Sequence, residues 1–309
     1  MSARARALLL RCFPPAWRAR YGSELELLIV ASHEEGAPRW RTAADVPGAG
    51  ARERMRAWGL AGDGGSAEEE ARSGVLLVLG SWALLTLGGA GVQKFSEHWE
   101  EITPGPSRAL PAGAFEGLVL AGALGSALLA TGMLLALPRL AARLRTGGWA
   151  RLRGPALRTV AASVVLILAT AGLAAWAHGL TNAQRNGADA PYGLAFLAWV
   201  ALAAITLIAW TVLAGRCARL IELSGGLLLS EAWLALAVAI AAVTATLSTA
   251  LWWGALAASA PSVLHGRSAG GGSALAFPLI LDAGAMALGS LLALTGARRC
   301  AGLVRTARG

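Results

Sequence analysis

Six long apolar segments, separated by connections that carry most of the arginines, are the feature that most restricts how this chain can fold. A helix that crosses the hydrocarbon core of a bilayer needs about 20 mostly apolar residues. The segments that meet this requirement are residues 74–92, 115–137, 159–177, 193–214, 231–259 and 274–297. The sequence therefore predicts an all-α, polytopic membrane protein whose residues 66–309 form six transmembrane helices.

Basic residues are concentrated in alternate connections between these segments. Residues 1–72 contain 11 Lys and Arg residues, the second connection contains six, the fourth contains two and the C-terminal tail contains four. The first, third and fifth connections contain two, one and one. Because Lys and Arg accumulate in cytoplasmic loops, this pattern predicts an N-in, C-in protein of the plasma membrane, that is, a bacterial inner membrane.

The composition agrees with a membrane protein and argues against other classes. Hydrophobic residues make up 56% of the chain and charged residues 15%, which is too little charge for a soluble fold of this length. The net charge is +9, but the arginines flank apolar helices instead of forming one basic surface. We therefore expect the bilayer and its anionic headgroups as partners, and no nucleic acid. Residues 7–10 are too short an apolar run for a signal peptide, so insertion is expected to begin at the first span.

Residues 1–65 are too polar to enter the bilayer and are predicted to form a separate, basic, helical prefix in the cytoplasm. The expected helical pieces cover residues 4–13, a stretch after Pro14 and Pro15 to about residue 35, and residues 52–60. Ser66 and Glu69 have the spacing of a capping box, which predicts that the first spanning helix begins there.

An apolar stripe follows one face of the second helical piece. It consists of Trp17, Tyr21, Leu25 and Leu28. We expect the stripe to pack on Met55 and Trp58, on the membrane surface or on a cytoplasmic protein. The favoured arrangement is a small helical unit on the inner leaflet. Its lipid- or partner-binding surface would comprise Trp17, Arg18, Arg20 and Tyr21.

The residues around Pro14 also resemble a known sequence pattern. The run F-P-P-A-W-R-A-R-Y-G-S-E-L over residues 13–25 is similar to a cytoplasmic prefix of uncharacterised actinobacterial multi-pass integral membrane proteins and of some bacterial permeases. Residues 53–63 and 94–99 are similar to other segments of that actinobacterial group. The resemblance implies the location and architecture given above, and no assigned substrate. Permeases with this prefix also have a large extracytoplasmic domain, whereas the outer connections of this chain are short.

Asp282 is the one ionisable residue well inside a predicted span. A carboxylate in hydrocarbon is costly unless it is neutral, paired or hydrated, which makes Asp282 the best candidate for an intramembrane polar site. Its helical face also carries the small residues Ala285, Gly289, Ala293 and Gly296. Small residues let a neighbouring helix approach, so the carboxylate is expected to point into the bundle. It would act there as a proton or cation relay, or as a protonated, hydrogen-bonded structural residue.

Other titratable residues collect at the predicted outer ends of the helices. They are Glu97, His98, Glu101, Glu116, His178 and His265. Imidazoles and carboxylates on one side of a protein are able to bind a divalent metal or respond to pH. Apart from Glu97 and Glu101, which share a helical face, no pair has a ligand spacing. The expected role is therefore a solvated polar rim, with no metal and no cofactor.

The sequence carries no recognisable catalytic motif. H-E-x-x-H, G-x-S-x-G, Walker-type and C-x-x-C patterns are absent from it, which predicts a protein that is not an enzyme. Two function classes follow: a permease-like protein or transporter accessory component with a pathway around Asp282, and a membrane-anchored regulatory protein acting through residues 1–65. In the second span, a small-residue row predicts close helix packing. The row consists of Gly113, Gly117, Ala121 and Gly125.

Overall fold

The computed structural model describes residues 3–34, 38–58, 66–95, 108–181, 184–185, 189–221, 225–259 and 276–307. Within these ranges the chain is helical and contains no β-strand, which confirms the predicted all-α class. The chain divides into two compact units, Met1–Gly65 and Ser66–Gly309.

The first unit contains three helices in its described part: α1 (Ala3–Leu10), α2 (Pro15–Glu34) and α3 (Arg39–Trp58). Its core is formed by Phe13, Ile29 and Val46. Of the predicted stripe on α2, Trp17 and Leu25 pack against this core, whereas Leu28 is 65% exposed and its neighbour Ile29 is 3% exposed. Helix α3 begins at Arg39, earlier than predicted, and its middle contributes Val46 and Ala49 to the core that covers Ile29.

Arg54 links α3 to the end of α1. Its guanidinium donates hydrogen bonds to the carbonyl oxygens of Cys12 at 2.5 Å and Arg11 at 2.6 Å. Both carbonyl groups lie in the turn that follows Leu10, and a hydrogen bond from a charged donor is stronger than one between neutral groups. On the same side of α3, a Cβ on Gly50 would lie 2.7 Å from Cys12 Cβ. The two helices therefore approach closely because position 50 is a glycine.

The second unit contains six long helices in its described part: α4 (Ala67–Phe95), α5 (Ala109–Arg143), α6 (Trp149–His178), α7 (Ala190–Ile221), α8 (Gly225–Ser259) and α9 (Ala276–Thr306). Ser66 accepts a hydrogen bond on Oγ from the backbone N–H of Glu69 at 3.2 Å. This bond confirms the predicted cap at the start of α4.

Four helical stretches in the described residues are long and apolar enough to cross a membrane. They are Ala67–Val92, Ala109–His178, Ala190–Ile221 and Gly225–Ser259. The predicted spans 115–137 and 159–177 both lie in the second stretch, which is 70 residues long. The predicted span 274–297 overlaps α9, which is not among the four. The length and composition of these four stretches support a membrane-embedded protein.

The 70-residue stretch is broken between α5 and α6. Residues Leu144–Gly148 form a short π-helical segment in which Thr146 and Gly147 leave helical geometry, with φ of +96° at Gly147. Residues with a Cβ atom rarely adopt this backbone conformation, whereas glycine adopts it at little cost. Gly147 therefore divides the stretch into two helices of 35 and 30 residues.

Helices α4 and α9 form an antiparallel pair held by glycines. A Cβ on Gly74 would lie 2.6 Å from the Gly296 carbonyl oxygen, and a Cβ on Gly296 would lie 2.6 Å from the Gly74 carbonyl oxygen. Farther along the pair, a Cβ on Gly289 would lie 3.0 Å from Leu85 Cγ. Small residues on facing helices allow the two backbones to approach this closely.

Helix α5 packs through the predicted small-residue row. Gly117 faces Ser248 of α8, whose Oγ would lie 2.9 Å from a Cβ at position 117, and the Trp82 ring of α4 occupies the space beside Gly125. The row is thus confirmed at Gly117 and Gly125, whereas Gly113 faces open space. Helix α6 packs mainly on α7, where the Trp210 indole donates a hydrogen bond to Ser163 Oγ at 3.0 Å.

One end of the second unit brings the helix ends together. The starts of α4 and α8 and the ends of α5, α7 and α9 meet in one apolar cluster formed by Ala71, Leu140, Ile221, Leu228 and Leu303. Gly148, just before α6, contacts Leu220, since its Cβ would lie 2.8 Å from Leu220 Cδ2. At the opposite end, aromatic rings join two pairs of helices. Phe115 of α5 and Trp252 of α8 have ring centroids 6.2 Å apart, and Trp176 of α6 and Tyr192 of α7 have ring centroids 5.6 Å apart.

Candidate functional site

Asp282 lies near the start of α9 and packs directly on the backbone of α4. Its carboxylate contacts Gly91, at the position that a side chain would otherwise fill. The Oδ2 atom is buried and has no hydrogen-bond partner among the described residues. A buried carboxylate oxygen without a partner costs free energy comparable to a lost hydrogen bond or more. The carboxylate therefore lies between α9 and α4, in space that is free because residue 91 has no side chain.

A second carboxylate, that of Glu231, lies between α8 and α5 and is not among the sites predicted from the sequence. The predicted fifth span begins at Glu231, but α8 begins at Gly225, about two helical turns earlier. The Glu231 Oε2 atom would lie 2.7 Å from a Cβ on Gly132 of α5, and its Oε1 atom is buried without a hydrogen-bond partner in the described part of the chain. The missed signal was the apolar run of residues 227–229, which precedes Glu231.

Glu231 lines an apolar cavity of about 350 Å³ between α4, α5, α7 and α8. The described lining consists mostly of leucine, valine and alanine side chains, together with Trp210 and Cys217. Glu231 is the one charged residue in that described lining. A smaller cavity of about 220 Å³ adjoins Trp82 and Met286. Asp282 is not among the described residues that line either cavity.

Two residues of the predicted outer rim, Glu116 and His178, lie in the described part of the chain. Glu116 is exposed near the start of α5, and His178 is exposed at the end of α6, where its Nδ1 atom lies 2.6 Å from the Ala174 carbonyl oxygen. Glu97, His98, Glu101 and His265 lie outside the described residues. Among the residues that the structure does describe, no group of three His, Cys, Asp or Glu side chains is arranged to hold a metal ion.

The predicted surface of the prefix is partly buried. Trp17 is half-buried and stacks on Phe13, with ring centroids 4.0 Å apart. Arg18 is half-buried, and Arg20 is exposed with its guanidinium carbon 5.1 Å from the centroid of the Tyr21 ring. About two helical turns farther along α2, Leu27 and Leu28 are also exposed. The exposed part of this surface is therefore both basic and apolar.

Comparisons with models of protein families, with curated proteins and with solved structures find no match for this chain. The candidate sites therefore rest on the geometry described above.

Proposed function

We propose that the chain is a six-span, N-in and C-in protein of a bacterial plasma membrane, with residues 1–65 as a cytoplasmic prefix at anionic lipid headgroups. The cluster around Ala71, Ile221 and Leu303 supports this topology, because each arginine-rich connection of the second unit is attached at that end. The break at Gly147 adds support, since α5 and α6 are each longer than the roughly 20 residues that a span requires. The resemblance of residues 13–25 to actinobacterial membrane proteins points the same way.

Within this architecture we assign a permease-like role, or that of a transporter accessory component, without enzymatic activity. The observation that carries this assignment is the pair of carboxylates, Asp282 and Glu231, each with a buried oxygen that has no partner in the described residues. Ionisable groups inside membrane helices are expensive and typically mark pathways for ions, protons or solutes. A hydrogen-bonded structural role would require a partner, and these two oxygens have none among the described residues.

The assignment predicts that Asp282→Asn abolishes proton-linked flux. Proteoliposomes that contain pyranine and the wild-type protein are expected to dissipate an imposed pH gradient faster than protein-free vesicles, because the Asp282 carboxylate exchanges protons within the bundle. The variant, which keeps the side-chain size beside Gly91, should return the rate to that of protein-free vesicles.

Glu116→Gln is the matched control, since it removes an exposed carboxylate at the same end of the second unit. It is expected to retain the wild-type rate. Equal rates for wild type and Asp282→Asn, with both proteins monodisperse, would rule out the role of Asp282 in flux.

A second candidate is a membrane-anchored regulatory protein that acts through residues 1–65. The observation that favours it is the exposure of Leu27, Leu28 and Tyr21 on one helix of the prefix. Adjacent exposed apolar side chains are typical of surfaces that bind other proteins. In that case the helices of the second unit would serve mainly to hold the prefix at the membrane.

This alternative predicts that Leu27→Glu combined with Leu28→Glu removes a cytoplasmic partner. A photo-crosslinker placed near Tyr21 in intact cells should capture one defined protein with the wild-type prefix and not with the double variant, because the charges prevent burial of the apolar surface. Ala19→Glu, at another exposed position of α2, is expected to leave the crosslink unchanged. If the wild type gives no defined crosslink, the regulatory candidate is wrong.

A further inference from the structure

The cavity beside Glu231 combines three properties that together specify a class of ligand. Its described walls are almost entirely apolar, they contain one carboxylate, and they contain no Lys or Arg. Its volume of about 350 Å³ lies within the range of roughly 300–1,000 Å³ for small-molecule sites. The cavity is therefore large enough for an organic molecule, and the one acidic or basic side chain in its described lining carries a carboxyl group.

The Glu231 carboxylate is available to a ligand. Its Oε1 atom is buried and accepts no hydrogen bond from the described residues, and Oε2 is held against α5 because position 132 is a glycine. A charge removed from water is stabilised mainly by a close opposite charge. A cation in the cavity would supply the charge that the described lining lacks.

Trp210 adds to the preference for a cation. It lines the cavity, and its indole N–H is already bonded to Ser163 Oγ at 3.0 Å, which fixes the ring. A tryptophan ring attracts cations through its π face, most strongly when both are removed from water. Besides Glu231 and Trp210, the one polar side chain in the described lining is the thiol of Cys217. A sugar or an anion would find too few donors there.

We propose that this cavity binds a lipophilic organic monocation, such as a quaternary ammonium or phosphonium ion with apolar substituents. The positive charge pairs with Glu231, and the substituents contact the leucine and valine side chains that line the cavity. This inference rests on the proposed solute-handling role and names the class of solute. A lipid acyl chain is the competing occupant, and it would need the apolar walls but not the carboxylate.

The test is equilibrium binding of tetraphenylphosphonium to the full-length protein in nanodiscs, with tetraphenylborate as a probe of similar size and opposite charge. We expect saturable binding of the phosphonium ion and no saturable binding of the borate ion. Glu231→Gln, which keeps the side-chain shape, should weaken phosphonium binding by roughly 30-fold, because a buried charge loses its partner. Glu116→Gln removes a carboxylate that is not among the described cavity lining and should bind like the wild type.

A space-filling variant keeps the test decisive if Glu231→Gln does not fold. Ala214→Phe places a ring in the cavity wall while retaining Glu231, and it should also weaken phosphonium binding. Equal binding of the two probes, or absence of phosphonium binding to wild type, would overturn the proposal. Binding without any flux in proteoliposomes would contradict the permease-like role and leave this inference standing. Flux that depends on Asp282, without phosphonium binding, would support the permease-like role and contradict this inference.

Discussion

Gly296→Leu is expected to separate α9 from α4 and to leave little folded protein. A Cβ at position 296 would lie 2.6 Å from the Gly74 carbonyl oxygen and 2.7 Å from Val78 Cγ2. One of these atoms belongs to the backbone of α4, so the clash is relieved only if the helices move apart. Overpacking of this kind costs about 3 kcal/mol, and separation also removes the contacts of the neighbouring core residues Ala293 and Cys300.

The matched control lies on the same helix. Gly284 is exposed, and a Cβ there would have no atom within 4 Å. Gly284→Leu should therefore have the same midpoint of SDS-induced unfolding as the wild type. The measurement is unfolding in mixed micelles titrated with SDS, followed by tryptophan fluorescence. If Gly296→Leu and Gly284→Leu unfold together, the α4–α9 pair is not packed as described.

The contact between Trp82 and Gly125 is expected to give the second large effect on stability. Trp82 is 8% exposed and belongs to the main core cluster of the second unit, and its ring fills the space beside Gly125. Trp82→Ala removes that ring and should cost about 4 kcal/mol. Gly125→Leu should also destabilise, because the ring is forced toward the smaller cavity next to Leu118 and Met286.

The two substitutions are expected to compensate each other. In the double variant the leucine at position 125 fills part of the space that the indole leaves, so the double variant should be more stable than the sum of the single effects predicts. Residues in direct contact show coupling of about 1–3 kcal/mol. The same SDS titration measures this coupling, and strictly additive effects would mean that the two side chains are not in contact.

Features that depend on local sequence could be predicted well. The apolar segments correspond to the long helices because length and hydropathy alone determine which stretches suit a bilayer. The cap at Ser66 and the close packing at Gly117 and Gly125 followed from residue type and spacing. Each of these requires knowledge of only one helix and of the size of its side chains.

Features that depend on neighbouring helices could not be predicted. Periodicity predicts an apolar stripe on α2 that includes Leu28, but it does not identify Ile29 as the residue that packs with Val46 of α3. A charged residue marks the end of a span in sequence, so Glu231 is predicted at a helix end, whereas the structure places its carboxylate beside Gly132 on another helix. The partner of Asp282 on α4, Gly91, likewise follows from tertiary packing and from no pattern in α9 itself.

The two ends of α6 offer the most direct test of the six-span topology. Thr146 is exposed at the break before α6, and Thr181 is exposed just after its end. Each is replaced singly by cysteine in a variant whose native Cys12, Cys217 and Cys300 are changed to alanine, and intact cells are treated with a membrane-impermeant maleimide. Thr181→Cys should be labelled in intact cells, whereas Thr146→Cys should be labelled only after permeabilisation. Labelling of Thr146→Cys in intact cells, or protection of Thr181→Cys, would contradict the proposed topology.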